Sequence, residues 1–325
     1  MKKGAINRVD EQKMLGTWID EGGCYGINIG KKKEKLPYML STVRRQASPK
    51  SIGVYTMEAR LKLAETVILQ SILVNVEGFP SYKNAEIKQL ESTQLNILTN
   101  LLELPKTTSY CALLMEVGWW PMEARLSYKK LMLYHNILRS NDRRVIKKLI
   151  CTQEREMRPT TWMAAVERDM VKYNIELKAK ETLKSTWKSE VKRKINNEVE
   201  KELRHKCKNS SKARIVKGDK FELKEYLQGK VDVKTAKKIL RARLNMCNLP
   251  GNYKSDGKGT CNLCEKEEGS TEHYFGCSQV HMLSKVWGVK AEDLKSQDIE
   301  VMRRVANFLE KVEIMIEPGR KKWYN

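Results

Sequence analysis

A chain of 325 residues with 41% hydrophobic content is long and apolar enough for two domains with real cores. Its 62 Lys and Arg against 40 Asp and Glu leave a formal net charge of +22, an excess that points to a polyanionic partner, nucleic acid first. No run approaches the roughly 18 apolar residues of a membrane span, and the first thirty residues lack the apolar segment of a signal peptide, so the expectation is a soluble intracellular chain, nuclear or cytoplasmic, in a reducing compartment.

Residues 13–20, KMLGTWID, alternate loosely and run into Glu21-Gly22-Gly23, after which Tyr25, Ile27 and Ile29 alternate with small residues. That pattern predicts a β-hairpin turning at the glycines over residues 1–30. A lone hairpin is marginal in water, which suggests a missing sheet before it.

From Lys31 the period becomes helical. Helices are expected over Leu36–Arg45, Met57–Val76, Ala85–Leu102, Tyr110–Val117, Met122–Arg139, Asp142–Thr152 and Thr160–Tyr173, with Gly78, Pro80, Pro105 and Pro159 as breaks. Residues 31–175 thus read as one helical domain. Trp119 and Trp120 invite base stacking, but at a helix junction they read better as core.

Residues 176–232 read as a basic helix and linker. In the helix, about Lys178 to Lys208, Leu183, Trp187, Val191, Ile195, Val199 and Leu203 recur every fourth residue. Four residues turn about 400°, so this stripe drifts about 40° per step and predicts a helix that wraps, bends or breaks near Asn196-Asn197. Lys180, Lys184, Lys188 and Lys192, joined by Arg193, form a basic stripe beside it. It reads either as a solvated face or as a phosphate-facing one. Between Lys178 and Arg243, 22 Lys and Arg stand against 9 Asp and Glu, a net of +13 in 66 residues. Asn209-Ser210-Ser211 reads as the linker.

Residues 233–325 read as a zinc-binding C-terminal domain. It opens with a basic helix, Lys234–Met246, carrying Lys237, Lys238, Arg241 and Arg243. CNLCEKEEGSTEHYFGC follows, giving Cys261-x2-Cys264-x8-His273-x3-Cys277. A C-x2-C step turns two thiolates to one point, and H-x3-C sets an imidazole and a thiolate one helical turn apart, which together suit tetrahedral Zn2+. With four ligands and no open position the ion would be structural. Cys247 and His281 are possible substitutes. The loop between the ligands reads as solvated, so that the metal replaces a core there and fixes the basic helix. Ile299, Met302, Val305, Phe308, Leu309 and Val312 mark a last amphipathic helix. The fold class expected is therefore mainly α, with one N-terminal β-hairpin and a small CCHC zinc domain.

Several stretches together resemble the C-terminal part of a non-LTR (LINE-type) retrotransposon reverse transcriptase. KMLGTWID resembles that family's primer-grip hairpin, which makes Leu15 and Gly16 the primer-grip-like positions. ARLKLAETVILQSIL and LLELPKTTSYCALLMEVGWWP are similar to its thumb, and KKILRARLNMCNLP with the Cys/His motif to its zinc region. The resemblance implies an RNA-directed DNA polymerase whose palm aspartates hold Mg2+ in the full-length enzyme. No adjacent aspartate pair occurs here, and Asp10-Glu11, Asp20-Glu21 and Glu292-Asp293 stand in unrelated contexts. The chain is thus expected to be a fragment lacking fingers and palm. It has no catalytic residue of its own and is inactive alone, but binds RNA or DNA as template–primer or element RNA. The alternatives are a zinc-dependent interaction module and a nuclease remnant around Asp298-x-Glu300.

Overall fold

A computed structural model describes residues 11–14, 17–20, 26–46, 56–156, 158–210, 213–247, 249 and 259–316. Glu11–Met14 (β1) pairs antiparallel with Thr17–Asp20 (β2), Glu11 facing Asp20 and Met14 facing Thr17. The hairpin expected to turn at Gly22-Gly23 is not seen. The supposed second arm lies in a helix, Gly26–Glu34 (α1), where three lysines occupy the last turn and complement the C-terminal end of the dipole. Leu15 and Gly16 lie outside the described residues.

Helices then follow in the expected order. They are Leu36–Gln46 (α2), Met57–Leu63 (α3), Gln70–Ile72 (α4), Asn84–Leu102 (α5), Tyr110–Val117 (α6), Met122–Leu138 (α7), Val145–Glu156 (α8), Trp162–Lys172 (α9), Lys184–Lys208 (α10), Val233–Arg243 (α11), His273–Gly276 (α12), His281–Trp287 (α13) and Ile299–Ile316 (α14). Between α3 and α4 the chain takes a π turn, Ala64–Leu69. None of the described helices is long and apolar enough to cross a membrane.

Two compact units emerge, each drawn from three separate stretches, whereas the sequence reading divides the chain consecutively. The first holds residues 1–42, 63–95 and 120–199; the second holds 43–62, 96–119 and 200–325. In the first unit the core includes Ile68, Leu90, Leu131, Trp162 and Trp187. Trp187 donates its indole N–H to the Leu131 carbonyl at 3.2 Å and stacks on His135. Trp120, half-buried, donates to Asn196 Oδ1 at 3.1 Å and meets Tyr128 edge-on, while in the second unit Trp119 is buried. Neither tryptophan is an open stacking platform.

Helix α10 is continuous through Asn196-Asn197, so of the three expected alternatives the break does not occur. Trp187, Val191, Ile195, Val199 and Leu203 are all buried, with Cys207 extending the series. Of α10, Lys184–Val199 belong to the first unit and Glu200–Lys208 to the second. Leu183, outside the helix, is 64% exposed. Residues 213–231, expected to be linker, bury Ala213, Ile215, Val216, Phe221, Tyr226 and Leu227 in the second unit. Gly118 shows why this segment comes so close. At φ 63° it ends α6, and a Cβ there would lie 2.6 Å from the Leu223 amide nitrogen. That backbone continues the contact, since the Lys224 N–H donates to the Glu116 carbonyl at 3.1 Å.

Candidate metal centre

The four residues of the Cys/His motif come together. Their ligand atoms lie within 4.8 Å of one another, and among the described residues they form the group of Cys, His and carboxylate side chains suited to hold a metal ion. Cys247, buried, and exposed His281 are not part of it.

Local structure explains the convergence. Thr260 and Glu268 bridge antiparallel, with Cys261 N–H donating to the Glu267 carbonyl and Gly269 N–H to the Gly259 carbonyl, each at 2.7 Å. The ribbon turns with the Glu265 N–H donating to the Cys261 carbonyl at 2.9 Å, and Glu265 itself is left-handed at φ 57°. Gly269 then passes so close that a Cβ would stand 3.1 Å from Cys261 Cα and 3.2 Å from the Tyr274 hydroxyl. The single helical turn α12 begins at His273, and Cys277 follows directly after it.

The geometry fits a tetrahedral soft-metal site. Cys261 Sγ and Cys277 Sγ are 3.8 Å apart, and Cys264 Sγ is 3.4 Å from His273 Nε2. Metal–sulfur bonds of about 2.3 Å at tetrahedral angles would give sulfur–sulfur edges of about 3.8 Å and slightly shorter sulfur–nitrogen edges. His273 Nδ1 faces Glu267 Oε2 at 3.0 Å. A proton held there leaves the Nε2 lone pair facing the thiols. The Tyr274 hydroxyl is buried against the Cys261 strand, where burial and the Cys261 sulfur hold it protonated as a donor. Backbone amides of Lys266 and Glu267 bring the Cys264 thiol down to about 6, whereas burial first pushes Cys277 up to about 11.

The expectation that the metal replaces a core is corrected. Glu265–Glu268 are exposed as expected, but Gly269, Ser270 and Thr271 are buried, and Cys261 and Cys277 belong to an apolar cluster with Tyr274, Phe275, Val280, Leu294, Phe308 and Val312. Phe275 and Phe308 rings lie 4.8 Å apart. The α14 stripe named from sequence supplies one side of that cluster through Val305, Phe308, Leu309 and Val312, and Met302 is buried as well.

The candidate phosphate contacts divide sharply. Lys180, Lys184, Lys188 and Lys192 are exposed, and among the described residues no ion pair joins Lys184, Lys188 or Lys192 to a carboxylate. Arg193 is exposed but held bidentate by Glu190, at 2.8 and 2.6 Å. On α11 the cations point into the second unit. Lys237 pairs with Glu103 at 2.5 Å, Lys238 with Glu310 and Glu313, and Arg241 donates to the Glu103 carbonyl at 2.7 Å. Arg243 is corrected outright as a surface contact, because it is fully buried.

Arg243 sits in a charge cluster that the sequence pattern did not reveal. Its Nε lies 3.0 Å and its Nη2 2.9 Å from Glu116 Oε1, and it also bonds Asp219 and the Leu294 carbonyl. Tyr226 donates to Glu116 Oε2, and buried Lys224 reaches Asp219 at 3.8 Å and the Lys220 carbonyl at 2.8 Å. Burial would discharge Arg243, but the Glu116 carboxylate, with Asp219, keeps it protonated. Burial holds the Tyr226 phenol well above its ordinary value, so it stays a donor. This cluster anchors α11 independently of the metal ligands.

Helix α14 opens with Asp298, whose Oδ1 accepts from the amides of Glu300 at 2.8 Å and Val301 at 3.2 Å. Asp298 is therefore an N-cap and Glu300 pairs with Arg303, so the Asp298-x-Glu300 pair forms no metal cage. The class defined by fold and site is a mainly α chain with a Cys3His cluster of a kind that could hold a metal ion. No family model, no curated protein and no solved structure matches it.

Proposed function

We propose that the chain grips nucleic acid by its phosphate backbone, as the thumb and C-terminal region of a non-LTR retrotransposon reverse transcriptase would, and that Cys261, Cys264, His273 and Cys277 hold Zn2+. The observation carrying this reading is the exposed lysine row of α10, Lys184, Lys188 and Lys192, without carboxylate partners among the described residues, in a chain of net charge +22. One-turn spacing places these ammonium groups about 6 Å apart along the axis. Lys180, exposed, lies ahead of α10 and outside the row, whereas Lys237, Lys238, Arg241 and Arg243 serve the interior of the second unit and Arg193 serves Glu190. Zn2+ would supply a cross-link between the Cys261–Gly269 ribbon and α12. Four protein ligands leave no open position for chemistry.

Salt dependence tests the first half. Full chain bound to a fluorescent B-DNA duplex should show log Kd changing with log salt at a slope of magnitude about 3 to 4, near 0.9 for each phosphate neutralised by the remaining lysines. Lys184→Gln, Lys188→Gln and Lys192→Gln combined should weaken binding to unrelated sequences alike and lower that magnitude by about 2 to 3. Unchanged affinity and slope in the triple variant would leave α10 as a solvated face.

A second test concerns the ligand support. Glu267→Gln should loosen metal binding about tenfold, the low end of such effects because Glu267 is three-quarters exposed. Competition against a chromophoric chelator reads this directly. No change would mean that His273 is oriented without the carboxylate.

A further inference from the structure

Helix α8, in the first unit, carries an apolar patch on its exposed side. Its inner side is anchored, with Lys147 and Ile150 buried, the Tyr134 hydroxyl donating to Glu154 Oε1 at 3.2 Å and the Met163 N–H to Gln153 Oε1 at 3.3 Å. On the outer side Val145, Ile146 and Leu149 are 74%, 48% and 49% exposed. At about 100° per residue the three fall within an arc of about 100°, so they form one patch over the start of the helix. An apolar cluster rimmed by polar groups is the form that contact surfaces take.

Here the rim is cationic. Arg143 and Arg144 stand just ahead of the patch and Lys148 beside it, all exposed, and among the described residues no ion pair joins them to a carboxylate. Asp142, the acid of this corner, is held by Lys147 at 2.6 Å, and the first turn of α8 contains no acidic residue. The positive end of the helix dipole therefore adds to the three cations. The corner is braced as well, since the Arg143 N–H donates to Asn141 Oδ1 at 2.9 Å and the Arg144 N–H to the Asn141 carbonyl at 3.0 Å. Residues 141–146 are all exposed, so the patch stands on a convex corner between α7 and α8.

We propose that this corner binds an anionic lipid surface, with Arg143, Arg144 and Lys148 on the headgroup phosphates and carboxylates and Val145, Ile146 and Leu149 entering the acyl boundary. Nucleic acid would pair with the cations but leave the aliphatics in water, and bases stack on rings, of which the patch has none. A folded protein would need a groove shaped to a convex corner, and the patch lacks the tryptophan and tyrosine anchors in which such contacts are rich. A lipid surface deforms around the corner and offers an anionic layer with hydrocarbon beneath it. The proposal is independent of the grip assigned to α10.

At physiological salt, full chain should sediment with vesicles of phosphatidylcholine containing about 30% phosphatidylserine and stay in solution with phosphatidylcholine alone. Hydrogen exchange on the anionic vesicles should show protection gained over residues 141–149. Because a chain of net charge +22 is drawn to any anionic surface, two variants separate adsorption from insertion. Val145→Gln, Ile146→Gln and Leu149→Gln combined should weaken vesicle binding by about tenfold or more and leave duplex DNA binding unchanged. Arg143→Gln, Arg144→Gln and Lys148→Gln combined should weaken it by about a hundredfold, near fivefold for each cation. All six positions are exposed, so both variants should melt as the wild type does. Vesicle binding that survives the aliphatic change intact overturns the proposal. Anionic vesicles that leave residues 141–149 unprotected overturn it too, and would leave the corner to an acid-rimmed protein groove.

Discussion

Glu116→Ala is expected to cost about 3–5 kcal/mol of folding stability, because it strands Arg243 in the interior with its main counter-charge gone. The environment is closed: Arg243 and Glu116 are both fully buried, and Asp219 is only 13% exposed. Within the cluster two cations, Arg243 and Lys224, balance two anions, Glu116 and Asp219. Removing one anion breaks that balance where water cannot repair it. Replacing Glu116→Leu together with Arg243→Met removes one charge of each sign and leaves Lys224 with Asp219, so it should cost far less than the two single changes added. Urea midpoints at unchanged slope read both variants. A Glu116→Ala loss below about 1 kcal/mol, the range of exposed pairs, would show that solvent reaches the cluster.

The contrast between Arg243 and Lys188 shows what the sequence could convey. Both stand on helices in a strongly basic segment, and composition treats them alike. Helical period located α11 to within three residues and the end of α10, though α10 starts at Lys184 and not at Lys178, and the four-residue step named every buried position from Trp187 to Leu203. Whether a cation faces phosphate or carboxylate depends on residues distant in the chain. Glu116 is 127 residues from Arg243, and Glu103 is 138 from Arg241. No local pattern marks such pairings.

The metal ligands were legible because spacing within seventeen residues carries the geometry. Their supports were not. Glu267 is one of four glutamates between Cys264 and His273, and only the ribbon that bonds Cys261 to Glu267 picks it out as the partner of His273. The N-terminal hairpin failed for a different reason. Ile27 and Ile29 fit a period of two over too few residues to exclude a helix, and the following lysines extend the helical alternative.

Withdrawing the metal should undo the ribbon and α12 while leaving the first unit folded. A four-residue helix has no stability of its own, and the ribbon is closed by few backbone bonds. Structural Zn2+ contributes about 10–16 kcal/mol in isolated fingers, comparable with the whole stability of an ordinary domain. Here Phe275, packed on Phe308, shares the task, so the expected result is local opening and not global unfolding. Hydrogen exchange before and after chelation should show protection lost across residues 259–281, weakened along α14, and retained around Leu131 and Trp187. Cys261→Ser and His273→Ala should reproduce the chelated pattern and lose one equivalent of bound zinc. Native protein prepared without chelator that carries almost no metal, or amides at 259–281 that exchange alike with and without it, would show that the apolar cluster alone holds the four ligands together.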